Sequence, residues 1–207
     1  LGMSHDYDSN QIKVLKGLEP IRKRPEFYLG DLDAPGLNTR LAFQTLCHAV
    51  DEAVEGNCNH ILMRVSKYNV TSEYDVGLPL KPHPAADQLP AAMIFLALHM
   101  GCHNQKKNIE VGSELCELGL AVLNGVCSVL TASVVEKGKA AEFIFEKGVL
   151  RSKPEIVDIC REDYTKISIV LDQAILKNTT FEFSKIEQEA IRISEKYKLP
   201  IQVEEMS

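Results

Sequence analysis

Ser133-Val134-Val135-Glu136-Lys137-Gly138-Lys139-Ala140-Ala141-Glu142-Phe143-Ile144-Phe145-Glu146 reads as strand, turn, strand. Valine, isoleucine and phenylalanine suit a pleated, half-buried surface. Lys137-Gly138 is a two-residue hairpin turn between the two runs. Working outward, the strand pattern begins near Val129 and returns at Lys166 to Leu171, where apolar and polar residues alternate. The spacing thus predicts later strands over 129–136, 140–147 and 166–171. His60 to Val65 and Asn69 to Asp75 read as earlier strands, and Ile201 to Val203 as a short last one. Amphipathic periodicity predicts helices near 10–24, 37–55, 88–100 and 184–198, with Ile12, Leu15 and Ile21 on one rough apolar face of the first. Gly112 to Cys127 also has helical composition. Prolines at 79, 82, 84 and 90 mark a loop. Helices first and strands later imply an α+β sandwich in one domain over 1–207: a mixed, mostly antiparallel sheet covered by helices on one face.

The totals narrow the function classes. The 207 residues carry a net charge of −6, with 45% hydrophobic and 25% charged residues, as in ordinary globular proteins. No overall basic field draws such a chain to nucleic acid, and Arg22-Lys23-Arg24 reads as a solvated helix end. The six cysteines include no C-x-x-C pair, which argues against a zinc site and fits a reducing cytoplasm. The polar start has no apolar core suited to a signal peptide. Ala91 to Leu98, the longest apolar run, is far short of a membrane span. Leu1-Gly2 before Met3 looks like a cloning remnant.

Specific residues go further. Tyr7-Asp8-Ser9 followed by Ile12-Lys13-Val14-Leu15-Lys16-Gly17-Leu18-Glu19 stands near the start, then Arg22-Lys23-Arg24-Pro25-Glu26-Phe27-Tyr28-Leu29-Gly30. Ala49-Val50-Asp51-Glu52-Ala53, Gly77-Leu78-Pro79, His83-Pro84, Leu98-His99-x-Gly101, Gly119, Asn124 and Thr165 follow in order. This series resembles the N-terminal ATP-binding domain of the gyrase B and topoisomerase IV B proteins. The resemblance implies the Bergerat-type fold shared with the ninety-kilodalton heat-shock chaperone, histidine kinases and mismatch-repair ATPases.

It also implies a site, and this chain departs from the family pattern there. Gln44 stands where the family has the glutamate that polarises the attacking water; an amide can orient water but accepts no proton. His48 replaces the magnesium-binding asparagine, and magnesium prefers oxygen ligands. It therefore reads as a surface or pocket-lining residue, or as a ligand to a softer metal. Glu73 matches the adenine-binding aspartate when counted back from Gly77, with Asp75 in place of a glycine; a two-residue deletion would instead bring Asp75 there. Pro79 and Thr165 keep the family residues. The glycine-rich phosphate cradle reads Ser113-Glu114-Leu115-Cys116-Glu117-Leu118-Gly119, retaining only Gly119. His103 stands at the lid lysine, just after Gly101, with Lys106 and Lys107 nearby as solvated loop residues.

These replacements predict lost hydrolysis, no required cofactor, and ATP and magnesium only if the site is retained. Residues 113–118 are expected to form ordered helix or packed loop, with the helix from Leu120 to Val126 extending backward into the lid and Glu114 and Glu117 set against a triphosphate. Three readings follow. In the favoured one the domain is a pseudo-ATPase, an interaction or scaffold module for a protein partner: a topoisomerase subunit, a second copy or an unrelated protein. In the others it is a nucleotide-binding domain of a variant type II topoisomerase, or a working ATPase with substituted groups. The family's transducer and cleavage domains would lie beyond Ser207, so this chain alone would neither move nor cut DNA.

Overall fold

The computed structural model describes residues 15–98 and 109–206. Short helices α1 (Glu19–Lys23) and α2 (Glu26–Leu29) lead to α3 (Leu37–Phe43), a 3-10 turn (Gln44–Leu46) and α4 (Cys47–Val54). Strands β1 (Ile61–Val65) and β2 (Val70–Tyr74) follow, then α5 (Ala92–Leu96), α6 (Ile109–Leu115) and α7 (Gly119–Val126). The second half holds β3 (Cys127–Glu136), β4 (Lys139–Glu146), β5 (Val149–Leu150), β6 (Val157–Asp158), β7 (Tyr164–Leu171), α8 (Phe183–Tyr197) and β8 (Ile201–Glu205).

The eight strands form one sheet in the order β5-β4-β3-β7-β2-β1-β8, with β6 also on β4. All pairings are antiparallel except β1 with β8. The mixed α+β architecture is as expected. Lys137 and Gly138 both have positive φ, 50° and 73°, and Glu136 pairs with Lys139. A two-residue hairpin turn of type I′ needs that left-handed backbone at both centres.

Period-two alternation divides the sheet faces. On β7, Thr165, Ile167, Ile169 and Leu171 are buried while Lys166 and Val170 are exposed. On β4, Ala141, Phe143 and Phe145 are buried and Glu142 and Glu146 exposed. The buried face packs under the helices; Leu41 and Leu46 from the helix layer and Phe143 and Phe145 from the sheet are fully enclosed in one core. A side chain's parity on its strand therefore decides whether it can reach a site between the layers.

Several helix boundaries differ from expectation. The predicted helix over 37–55 is interrupted at Gln44–Leu46. There the Thr45 hydroxyl donates to the Ala42 carbonyl (2.7 Å) and lies 2.6 Å from the Ser72 hydroxyl of β2. Such side-chain bonds compete with regular helix. Within the predicted helix over 10–24, the described part is helical from Glu19, and α2 follows Pro25 as a separate turn. Of the segment predicted helical over 88–100, α5 covers Ala92–Leu96; residues 99 and 100 lie outside the described residues, as do 10–14. The backward extension of the helix at 120–126 is corrected. The chain turns at Cys116-Glu117-Leu118, and α7 starts at Gly119 with φ 80°, which separates it from α6.

Candidate functional site

Gln44 sits at the junction of α3, α6 and α7 with no solvent exposure. Its Nε2 donates to the carbonyls of Arg40 (2.8 Å) and Leu115 (2.8 Å). Its Oε1 accepts the N–H groups of Leu118 (3.2 Å) and Gly119 (2.9 Å), and the Cys47 thiol at 3.8 Å. The first N–H groups of a helix are its natural anion site. In α7 two of those donors are directed at a side chain of the protein itself, so Gln44 fills the position where an anion would be capped.

The segment before α7 is fixed from both sides. Glu117 pairs with Arg40 at 3.0 Å. Glu114 pairs with Arg192 and Lys196 of α8, both at 2.7 Å, and accepts the Tyr197 hydroxyl. The Lys196 ammonium and Tyr197 hydroxyl, with Arg192, hold the Glu114 carboxyl at about 2, against a smaller opposing effect of burial. The expectation that Glu114 and Glu117 confront a triphosphate is thereby corrected: both carboxylates are turned to basic partners on α3 and α8. Leu115 is buried and Leu118 partly so, as inward packing requires.

A cleft of about 730 Å³ lies between α4 and the loops at the end of the sheet. His48, Asp51, Glu52 and Glu55 face it from one side at helical spacing; Asp75, Gly77 and Pro79 line the far wall, with Glu136 and Asp163. His48 is 5% exposed, and its ring meets Phe95 edge-on at 5.3 Å and Tyr74 at 5.8 Å. Burial lowers its pKa against the opposing pull of Glu52 and Asp51, so the imidazole is neutral near pH 7.

Glu73 is not brought into this cleft. It lies on the open sheet face with Arg64, at 3.5 Å, because Ser72 and Tyr74 take the helix-facing parity of β2. Tyr74, 1% exposed, occupies the inward place at the strand end; the motif comparison missed it, although a large apolar ring between polar neighbours was a signal. Asp75 does line the cleft, but its carboxylate accepts the N–H groups of Asn59 (3.0 Å) and His60 (3.1 Å) and ties the start of β1 to the end of β2. Burial pushes its pKa up, and the Cys58 thiol with these amides outweighs that and holds it below the usual range.

Gly77 and Thr165 serve the framework. A Cβ at Gly77 would lie 2.2 Å from the Val135 carbonyl oxygen. The Thr165 hydroxyl donates to the Val76 carbonyl (2.7 Å) and accepts from the Leu78 N–H (3.0 Å), fixing the same loop. Pro79 accepts the N–H of Ala92 at 2.7 Å. Gly101 and His103 lie outside the described residues.

Among the described residues, three features stand against a magnesium triphosphate. The Leu118 and Gly119 amides are taken, six carboxylates line the cleft, and the α4 wall offers the imidazole of His48, where magnesium prefers oxygen. Among the described residues, no three His, Cys, Asp or Glu side chains gather as a metal site.

The helix-covered mixed sheet, with a cleft between α4 and the Gly77 loop, has the architecture of the gyrase-type ATP-binding fold. No family model matches the sequence. The DNA gyrase B protein of Campylobacter jejuni is 28% identical over 87% of this chain and 24% of its own length. That of Borreliella burgdorferi is 30% identical over 88% of this chain and 29% of its own. The type 2 topoisomerase B protein of Aquifex aeolicus is 31% identical over 88% and 23%. The structure of the 43K ATPase domain of Thermus thermophilus gyrase B, in complex with an aminocoumarin, matches with a TM-score of 0.73 at 25% identity, over 91% of this chain and 48% of that one. The chain is homologous to the N-terminal ATPase domain of gyrase B. It spans about a quarter of the length of these relatives.

Proposed function

We propose that this domain keeps the gyrase B fold but has exchanged nucleotide chemistry for a fixed, self-capped structure, and acts as an interaction module. The observation that carries this is the four-bond engagement of Gln44. A general base must present an accepting group to water; the Gln44 amide is enclosed, neutral and committed to the chain's own carbonyls and amides. A protein partner is the occupant this reading favours, either a topoisomerase subunit or a second copy. The acidic net charge argues against direct nucleic-acid contact. No helix among the described residues is long and apolar enough to cross a membrane. Cys47, Cys58, Cys116, Cys127 and Cys160 are free thiols, in keeping with a reducing cytoplasm. The test is phosphate release from ATP with and without magnesium. No turnover above background is expected, and magnesium-dependent turnover that Gln44→Ala abolishes would overturn the proposal.

A second reading has its own support. Homology to gyrase B over most of the chain and the intact Gly77–Thr165 framework favour the nucleotide-binding domain of a variant type II topoisomerase. Micromolar, magnesium-dependent binding of a non-hydrolysable ATP analogue would select it.

A further inference from the structure

We infer that the surface around α1 and α2 is a docking site for an acidic segment of a partner protein, one that carries a bulky apolar side chain between carboxylates. The inference rests on the interaction-module reading and gives that module its surface and the chemistry of its partner.

The run Arg22-Lys23-Arg24 divides by direction. Arg22 turns inward, where it pairs with Asp172 and donates to the carbonyls of Gly125 (3.0 Å) and Cys127 (3.2 Å). Lys23 and Arg24 stay exposed. A solvated helix end needs no apolar companion, yet one is present. Leu29 is the side chain that α2 sends into the core, which leaves Phe27 76% exposed beside Arg24. The Arg24 guanidinium lies 5.9 Å from the centroid of the Phe27 ring, within cation–π range.

A hollow of about 590 Å³ is bounded by Lys23, Arg24 and Phe27, with Leu15, Pro20 and Tyr28 completing its walls. The α1 segment is also one wall of a second hollow, of about 550 Å³. There Leu18, Leu150 and the 68% exposed Val149 meet the side chains of Lys16 and Lys147. Exposed apolar side chains gathered in one patch mark interaction sites. Aromatic rings and arginine supply the strong contacts of protein interfaces.

Charge decides the occupant. Among the described residues, Glu19 is the one carboxylate that lines these hollows, and it pairs with Lys23 at 3.2 Å. Among the same residues, Lys16, Arg24 and Lys147 have no carboxylate within ion-pair distance. On a chain of net charge −6 this is a local reversal of sign over an apolar floor. It complements a few carboxylates on a segment whose apolar side chain enters a hollow. A nucleic-acid strand or an anionic bilayer extends beyond the patch and meets the acidic remainder of the surface.

The test is fluorescence anisotropy of a labelled short peptide, aspartates around one phenylalanine and one leucine, titrated with the full chain at low ionic strength. Binding is expected to saturate one-to-one and to weaken about tenfold or more as salt rises to physiological. Replacing the peptide's aspartates by asparagine, or its two apolar residues by glycine, should each weaken it at least tenfold. On the protein, Lys23→Gln with Arg24→Gln and, separately, Phe27→Ser should do the same. The thermal midpoint should stay that of the parent, since all three side chains are exposed. Lys67→Gln with Lys166→Gln, an equal charge change at the β1–β2 turn and on the open face of β7, should leave binding within twofold. Equal weakening by the two charge pairs would show a diffuse effect and overturn the site, as would binding unchanged by Phe27→Ser. Oligothymidylate or phosphatidylserine vesicles binding more tightly than the peptide, with the same loss in Phe27→Ser, would reassign the surface to nucleic acid or a membrane and overturn the protein partner. No peptide binding at millimolar concentration would overturn the inference and, with magnesium ATP turnover also absent, leave the loss of nucleotide chemistry standing. Turnover that Gln44→Ala abolishes would overturn the reading on which the inference rests.

Discussion

A side chain at position 44 has to donate at one end and accept at the other. Nε2 faces two carbonyls at 2.8 Å, and Oε1 faces two amides. Gln44→Glu restores the family's carboxylate but sets an oxygen against those carbonyls in full burial. It should cost about 3 kcal/mol at neutral pH by urea denaturation, within the range for a buried unsatisfied or ionised group. The sign with pH follows from protonation: a protonated carboxyl can donate to one of the two carbonyls that the amide serves, so the folded state raises that glutamate's pKa. The penalty should be smaller in acid and grow as pH rises through the unfolded value of ~4.3. A variant as stable as the parent at pH 7 would show that the clamp contributes little. Gly77→Ala has no such rescue. A Cβ 2.2 Å from the Val135 carbonyl forces the loop from the β3–β4 hairpin, and a loss of about 3 kcal/mol at every pH is expected in the same measurement.

Between elements, α6 is held to α8 by Glu114. The paired Glu114 carboxyl titrates at about 2, below its unfolded range of roughly 4.3. A depressed carboxylate stabilises the fold above its unfolded pKa, and that contribution is lost as pH falls toward the folded value. Glu114→Gln should therefore lower the thermal midpoint at pH 7 relative to the parent, and the gap should close as both are taken toward pH 2. A gap unchanged with pH would assign the effect to packing. Elements of this kind were partly legible in the sequence. The β3–β4 hairpin could be read because its turn chemistry is local, as could the alternation on β7. The break at Gln44–Leu46 could not, since Thr45 finds Ser72 on a distant strand. Glu73 shows a different limit. Spacing from Gly77 put it at the adenine position, but spacing does not state which parity of β2 faces the helices. The cradle was misread for a third reason: the loss of glycines was visible, while the basic partners that turn Glu114 and Glu117 aside come from α8 and α3, far along the chain.

For the whole molecule, a ligand that binds only the folded state raises stability by RT ln(1 + [L]/Kd), so ligand at its own Kd adds only ~0.4 kcal/mol. In a domain of about 200 residues each kcal/mol shifts the midpoint by ~2–4 °C. A functional nucleotide site at a hundredfold excess over Kd would add ~2.7 kcal/mol and several degrees. Here the helix dipole of α7 and its first amides already meet an internal acceptor, so a phosphate must first displace Gln44 and leave its Nε2 partners unpaired. Millimolar magnesium ATP is therefore expected to move the thermal midpoint by no more than about 1–2 °C. The same logic predicts that the Leu118 and Gly119 amides exchange slowly in the free protein, because their protection comes from the chain itself. A rise of several degrees with magnesium ATP, accompanied by slow exchange at those amides only when the nucleotide is present, would mean that the Gln44 clamp opens to a ligand and that this domain still closes around a nucleotide.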